Sequence, residues 1–308
     1  MSLATKPLIS IALCTYNGEK HLEKQLDSLV KQTYRPIEIV AVDDRSSDRT
    51  LDILKSYAEK YSFLKVIQNE ENLGFVKNFE KAILQCSGDY IAMSDQDDIW
   101  LETKIETLYN QVDDYIMVYH NSVFIDEHDN VIGEKKLYDH FGNYDGGSNI
   151  PFLIANCIPG HTTLFRKELV PHLLPFHKDF YHDWWIAFVA VTIGKIKAIP
   201  EVLVKYRQHE FSITDSLALR HEKAKRKKHE RSATYNLDWI THCLSFNDLK
   251  NSREIQLIYN QLSNYQNNKR DWRFVLFMVN YYKDLHRFSA GKKSYLSRLN
   301  RVRKICFS

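Results

Sequence analysis

The sequence predicts an α/β fold, a mainly parallel central sheet followed by a helical C-terminal extension, on three observations. Through the first hundred positions, short apolar runs alternate with helical patterns, the rhythm of parallel strands joined by right-handed crossovers. After Ser216 the pattern turns helical, and no proline occurs from there to the end of the chain. Charge divides at the same place. Residues 216–308 carry 20 Lys and Arg against 7 Asp and Glu, a net of +13, whereas residues 1–215 carry 22 against 32. A shift that sharp marks two units, a first domain over 1–212 and a basic helical region over 213–308.

Each element follows from its own pattern. Residues 8–13 are a continuous apolar run with the length of a buried strand, and 19–32 place Leu22, Leu26, Leu29 and Val30 on one helical face. Residues 37–42 form a second strand. Residues 48–61 form a second helix, with Ser47 as its N-cap. The series continues as strand, helix and strand over 64–68, 75–86 and 89–93. Beyond Leu101 the alternation loosens. Residues 115–119 and 122–125 read as two strands paired around an edge, 183–193 as a buried helix, and 195–199 and 202–206 as two short closing strands. Helices are expected over 216–244, 247–262 and 266–289, ahead of a basic tail. The chain has no internal repeat.

At 308 residues with 44% apolar side chains, the chain suits one large domain, or one domain with an extension, around a proper core. Its 18 Tyr and 16 Phe argue against a disordered chain. The five cysteines, Cys14, Cys86, Cys157, Cys243 and Cys306, lie far apart and form no C-x-x-C pair. That argues against a disulfide framework and a zinc–thiolate site, and fits a reducing compartment. No charged-then-apolar leader precedes the first strand. The longest apolar stretch, 184–193, is ten residues, about half of what spans a bilayer. The expectation is a cytoplasmic protein, soluble or peripheral on the inner face of the cell membrane.

Four loops leave the carboxyl ends of the first four expected strands, the edge at which parallel α/β sheets take their ligands. They are Cys14-Thr15-Tyr16-Asn17-Gly18, Asp43-Asp44-Arg45-Ser46-Ser47-Asp48, residues 69–74, and Asp95-Gln96-Asp97-Asp98. The last puts three carboxylates in four residues. Carboxylates so close repel one another unless a cation neutralises them. The segment therefore points to a hard divalent ion, Mg2+ or Mn2+, shared with a phosphorylated substrate. The loop after the first strand holds a single glycine, which argues against a dinucleotide fingerprint and a phosphate-gripping P-loop. Asp43 and Asp44 either accept hydrogen bonds from a pyrimidine imide or ribose hydroxyls, or belong to a turn that caps the next helix. Tyr16 either stacks on a base or packs. Lys77, near Asn72 and Asn78, either meets a diphosphate or is an exposed helix lysine.

Taken together, Thr15-Tyr16-Asn17, Val42-Asp43-Asp44-Arg45-Ser46-Ser47-Asp48, Asn72-Leu73-Gly74 and Asp95-Gln96-Asp97-Asp98-Ile99-Trp100 resemble the nucleotide-sugar domain of family 2 glycosyltransferases. The resemblance covers residues 7–212. It extends, in the family's order, to Pro159-Gly160-His161-Thr162, His182-Asp183-Trp184-Trp185 and Tyr206-Arg207-Gln208-His209. It implies a GT-A nucleotide-sugar-binding fold, a UDP- or dTDP-linked sugar donor, a Mn2+ or Mg2+ ion at a DXD motif, and inversion at the anomeric carbon. The Asp-Gln-Asp-Asp-Ile-Trp and His-Asp-Trp-Trp wording looks most like bacterial rhamnosyltransferase-type enzymes of surface polysaccharide synthesis.

By that resemblance Asp183 is the base that takes the acceptor hydroxyl's proton, although an Asp opening an apolar helix also serves as a cap. Asp97 is the direct metal ligand, and Asp95 reaches ribose or metal-bound water and joins the metal set. His209 completes the metal or diphosphate contact, or is a surface histidine. Nucleotide-sugar binding is carried onto Thr15, Tyr16, Asn17, Glu19, Asp43, Asp44, Asn72, Lys77, Asp95, Gln96 and Asp98, with Gly160 letting backbone approach the sugar. Trp184, with Trp185, forms an apolar platform for the sugar ring or packs under the sheet. The family's processive polymerases carry membrane-spanning helices and a Gln-x-x-Arg-Trp signature. This chain has neither in the expected place, so one sugar is expected to be added per encounter.

Lys223, Lys225, Arg226, Lys227, Lys228 and Arg231 form a dense positive run, 272–282 interleave aromatic and basic residues, and Arg298, Arg301, Arg303 and Lys304 crowd the end. Such helices lie on anionic membrane, where each basic residue near the surface contributes about 1 kcal/mol. A lipid-linked acceptor would be presented there; the other acceptor class is a free saccharide. A helical cap on the first domain and a homodimer interface are the alternatives. Nucleic acid is not an expected partner, since no recognition fold accompanies the charge. Two other functions stay open. A sugar-nucleotide nucleotidyltransferase would want a Gly-rich loop bearing Lys or Arg, which is absent; a non-catalytic nucleotide- or membrane-binding protein would want only the basic helices.

Overall fold

The structure, a computed structural model, describes residues 6–208, 236–247, 249–267, 272–288, 300 and 302. The expected boundary at 212/213, the start of the helix expected at 216, the basic run at 223–231, His209 and the terminal basic residues Arg298, Arg301, Arg303 and Lys304 lie outside the described residues. Those that are described form two compact units, 6–147 with 158–208, and 148–157 with the described residues after 210.

The first unit is built on β1 (Ile9–Thr15), β2 (Ile37–Asp43), β3 (Leu64–Gln68) and β4 (Tyr90–Ser94), joined by α1 (Leu22–Val30), α2 (Thr50–Lys60) and α3 (Phe75–Leu84). They pair in parallel, in the order β3-β2-β1-β4, with Ile9 opposite both Ile37 and Tyr90. All seven residues of β1 are buried. A strand covered on both faces must be apolar throughout rather than alternating, which is why it reads as an unbroken run. The helices cover those faces with one stripe each, Leu22, Leu26, Leu29 and Val30 on α1 and Val76, Phe79, Ala82 and Ile83 on α3. At α2, Ser47 is not the cap. The cap position is Arg49, without a side-chain cap bond, and Asp48 just before it accepts the Thr50 amide at 3.0 Å.

The remaining elements are β5 (Ile99–Trp100), α4 (Lys104–Tyr109), β6 (Met117–Ile125), α5 (Leu137–Phe141), β7 (Thr163–Arg166), α6 (Val170–Leu173), α7 (His182–Ile193) and β8 (Ile196–Arg207). They extend the sheet as β4-β7-β6-β8-β5. β7 runs antiparallel to both neighbours, β6 and β8 are parallel, and β5 is antiparallel to β8. Two expectations change here. The strands expected over 115–119 and 122–125 are one strand, β6, and those over 195–199 and 202–206 are one strand, β8. The reason is an irregularity in their pairing: His120 faces Ile199 but Asn121 faces Val202, so Pro200 and Glu201 are passed over. A bulge gives a residue without an N–H a place in the ladder, and polar side chains at 120–122 broke the apolar pattern where the strand itself continues. α7 is buried nearly all round, as its apolar sequence requires.

In the second unit, α8 (Leu237–Leu244), α9 (Ser252–Gln266) and α10 (Trp272–Leu285) are helical, each overlapping one of the helices expected over 216–244, 247–262 and 266–289. The Asn236 side chain caps α8 by accepting the Trp239 amide at 3.0 Å. The excursion 148–157 packs with them. Trp239 Nε1 donates to Phe152 O at 3.0 Å, Asn149 Nδ2 donates to Lys250 O at 3.2 Å, and the Phe152 and Phe288 rings lie 5.1 Å apart. Such a long-range association leaves no local signal in the sequence. Cys14, Cys86, Cys157 and Cys243 are free and buried. Among the described residues, no helix is long and apolar enough to cross a membrane.

Candidate active site

Parallel pairing puts the loops after β1, β2, β3 and β4 on one edge, and side chains lace them together. Asn17, at φ 48°, receives the Ser47 amide on its Oδ1 at 2.9 Å and donates its own amide to Ser46 Oγ at 2.9 Å. Glu19 accepts the Arg49 amide at 3.0 Å, and the Glu19 amide donates to Asp48 at 3.1 Å. Asp43 is buried and accepts from Thr15 Oγ1, the Ser46 amide and hydroxyl, and Gln68. Asp44, also buried, accepts Asn69 Nδ2 at 2.7 Å, the Leu73 amide at 2.8 Å and the Gly74 amide at 2.9 Å. These two carboxylates organise the β2 and β3 exits from buried positions, rather than forming a solvated turn that caps the next helix. Asn72 joins them, donating to Asp44 O at 3.2 Å.

Gln96 clamps the β1 exit to the β4 exit. Its Oε1 accepts the Tyr16 amide at 2.8 Å and its Nε2 donates to Tyr16 O at 3.1 Å, leaving the Tyr16 ring 49% exposed at the edge. The clamp lies where a side chain on Gly18 would be. A Cβ there would meet Gln96 Oε1 at 2.3 Å. Gly18→Ala should push Gln96 off Tyr16 and cost both bonds, about 1–2 kcal/mol of unfolding free energy, measurable by denaturant titration. An unchanged midpoint would mean that the clamp contributes nothing.

Beneath this edge lies a buried polar centre. Asp95, Asp98 and His161 each bring a ligand-type atom within 4.8 Å of the others. Asp98 is fully buried. Its Oδ1 accepts the Arg207 amide at 2.9 Å, and its Oδ2 has no hydrogen-bond partner. The His161 ring lies tilted against Tyr206 at 4.2 Å, places Nε2 3.2 Å from Ser122 Oγ, and sets Nδ1 4.0 Å from Asp95 Oδ2. Burial, and then the Lys104 charge, hold His161 well below the usual histidine range, so the ring is neutral. A tautomer with its proton shared with Ser122 leaves Nδ1 a lone pair toward the carboxylates. Two carboxylates, one of them with an unsatisfied buried oxygen, and a neutral imidazole are a donor set that fits a divalent cation. Asp97 is half-buried and outside this trio, and Arg207 Nε donates to its backbone carbonyl at 2.7 Å.

Lys104 is the internal counter-charge. It is fully buried, donates Nζ to His161 O at 2.7 Å, and lies 3.0 Å from the centre of the Trp100 ring. Burial drives its pKa well below the usual lysine value, while Asp98 and Asp95 pull it back.

Asp183 sits in the first turn of α7. Burial pushes its carboxyl up to about 6, and hydrogen bonds from the Trp184 and Gly160 amides oppose that rise. It belongs with the acid centre. Asp95 is raised to about 7 by burial, then by the Asp97 and Asp183 carboxylates, with Lys104 opposing. A Cβ on Gly160 would lie 3.5 Å from His182 Nε2 and 3.7 Å from Asp183 Cβ, so this glycine brings backbone close to the carboxyl.

Over residues 10–174, more than half its length, the chain matches the family described as glycosyl transferase family 2. The chain belongs to that family. It is 30% identical to an uncharacterized glycosyltransferase of Haemophilus influenzae over 246 residues, 76% of each chain. It is 32% identical over 222 residues to the dTDP-rhamnosyl transferase RfbG of Shigella flexneri, 64% of this chain and 72% of that one. Among solved structures, the mannosyltransferase PcManGT from Pyrobaculum calidifontis, in complex with GDP-Man and Mn2+, superposes with a TM-score of 0.55 at 16% identity. That match covers 98% of this chain and 86% of the other, and it shows the fold, which is GT-A.

Within this family 2 glycosyltransferase, the structure brings Thr15, Tyr16, Asn17, Glu19, Asp43, Asp44, Asn72 and Gln96 to one edge, most of them bonded to one another. Lys77 is tied to Glu80 by contacts of 2.9 and 3.0 Å. Trp185 is a packing residue, its Nε1 donating to Leu173 O at 2.9 Å and its ring stacked on Phe188. Trp184 is half-buried. Sequence reasoning assigned no role to Lys104, His161 or Arg207. His161 and Arg207 stood inside quoted motifs, whereas Lys104 carried no signal, because a lysine in a short helix reads as solvated.

Proposed function

We propose that this protein is a metal-dependent, inverting glycosyltransferase. It would move a hexosyl or rhamnosyl group from a UDP- or dTDP-linked donor to a saccharide or lipid-linked acceptor in bacterial surface polysaccharide synthesis. The observation that carries this reading is Asp183: a carboxyl poised near pH 6 in the field of Asp95 and beside the glycine backbone of the site. Its carboxylate takes the acceptor hydroxyl's proton as that oxygen attacks the anomeric carbon, forming the new C–O bond while the bond to the diphosphate breaks on the opposite face. Asp95 serves both candidate metal sets, with Asp97 and His209 in the one expected from sequence and with Asp98 and His161 in the one that the spacing of their ligand atoms supports. Mn2+ or Mg2+, when bound, would stabilise the charge developing on the leaving diphosphate. Tyr16 offers an open ring for the base, and the laced loops hold the edge against which the nucleotide and the sugar would rest.

The relatives' names support transfer from a nucleotide sugar, and the Mn2+ bound by the mannosyltransferase supports the metal. On this reading 1–212 is the catalytic domain and 213–308 the contact to membrane or a second subunit, on the cytoplasmic side. Calorimetric titration of UDP and dTDP, with and without Mn2+, followed by a panel of nucleotide sugars scored for metal-dependent hydrolysis, tests it. Binding of one nucleotide, strengthened by Mn2+, is expected. Absence of nucleotide binding in both conditions would overturn the proposal.

A further inference from the structure

We propose that the outer face of α10 is a membrane-docking stripe that lies on an anionic lipid surface. It gives the proposed membrane contact a place, and it rests on that reading only for the lipid-linked acceptor.

α10 has two apolar faces, where a helix on a protein surface needs one. The inner face carries Phe274, Phe277, Met278, Tyr282 and Leu285, all buried, and Phe274 stacks on Tyr265 of α9 at 4.4 Å and 12°. The outer face carries Trp272, Leu276 and Val279, which are 68%, 54% and 41% exposed. Spacings of four and three residues put them on one line along the helix. The same line continues through Lys283 and Arg287, both exposed, and Arg273 flanks its start. The outer face is thus three apolar residues, led by a tryptophan, running directly into two basic ones.

The charge of the region decides what covers it. Residues 216–308 carry a net of +13, so a second copy laid stripe to stripe would set like charge against like. An anionic partner is complementary. A lipid surface fits the stripe better than an acidic protein does, because the stripe is one residue wide, an apolar line that runs into basic residues. Interfacial helices use that arrangement: Trp and Leu enter the acyl boundary while Lys and Arg meet the headgroups.

The test uses the full chain and sedimentation with vesicles, phosphatidylcholine alone against phosphatidylcholine mixed with phosphatidylglycerol. Binding to the mixed vesicles that weakens with salt is expected, with little binding to the neutral ones. Trp272→Ser with Leu276→Ser and Val279→Ser should lower partitioning by about tenfold or more. Lys283→Glu with Arg287→Glu should weaken binding to the mixed vesicles and lessen its salt dependence. The helical circular dichroism should stay at the wild-type level in both, since the inner face is untouched. Undiminished binding by the serine variant, equal binding to both vesicle types, or a lipid-free dimer that this variant converts to monomer would overturn the proposal. Metal-dependent hydrolysis of a nucleotide sugar in solution needs no vesicle, so its loss would count against the proposed function and not against the stripe.

Discussion

Asp183→Asn is expected to lower transfer by about 10²–10⁴-fold while leaving nucleotide affinity at the wild-type value. The substitution keeps an oxygen that can accept the Trp184 and Gly160 amides, so the first turn of α7 and the approach of Gly160 survive. What it removes is the ability to take a proton. The same carboxyl sets a pH dependence. With its pKa raised to about 6, activity should rise with pH through that value as the base ionises. The stability effect runs the other way. A carboxyl whose folded pKa lies above its ordinary value of 3.8 contributes stability that is full below 3.8 and lost as pH rises through about 6. The asparagine variant lacks that loss, so above pH 6 it should unfold at a higher denaturant concentration than the wild type. Turnover, nucleotide calorimetry and unfolding at pH 5 and pH 8 read all three effects. Full turnover by the variant would dismiss Asp183 as the base, and loss of nucleotide binding would recast it as a structural cap.

Lys104→Met carries the largest expected cost to the fold. Methionine preserves length and apolar stem but removes the only buried cation that faces Asp95 and Asp98 among the described residues. Breaking a buried charge cluster by deleting one partner costs about 3–5 kcal/mol, because the groups left behind are neither solvated nor paired. The penalty should grow as pH rises, since Asp98 is held well above the ordinary carboxylate range by burial and then by its neighbours Asp97 and Asp95, and its ionised form is the unpaired one. Acid relieves the variant by protonating it. A divalent ion bound at the cluster replaces the missing charge, so Mn2+ should raise the variant's stability more than the wild type's. Denaturant unfolding at two pH values, with and without Mn2+, measures this. A loss independent of pH and metal would mean that Lys104 is held for packing alone.

Parts of the site were legible in the sequence because topology dictates them. Once four parallel strands are read from four apolar runs, their exits must share an edge, and the polar groups at 15–19, 43–48, 69–74 and 95–98 must meet there. What each group does at that edge was not legible. Asp44 accepts from Asn69, Leu73 and Gly74, 25 to 30 residues away, and no local pattern announces those bonds. Lys104 shows the opposite failure: an ordinary lysine by sequence, it is fixed by burial against Trp100 and His161. The C-terminal unit was legible as helical and basic. The two-faced character of α10 emerged only when exposure separated Trp272, Leu276 and Val279 from the inner aromatics.

By itself the sequence determined the α/β order, the parallel half of the sheet and the family, since periodicity and short motifs are local properties of the chain. Tertiary structure alone decided that β6 and β8 are single bulged strands and that 148–157 belongs with the helical unit. It also decided that the buried Asp98, His161 and Lys104 form one centre with the half-exposed Asp95. The physical reason is that charge and hydrogen bonding act through space: a side chain's role depends on what lies within a few ångströms, and those neighbours come from any point along the chain.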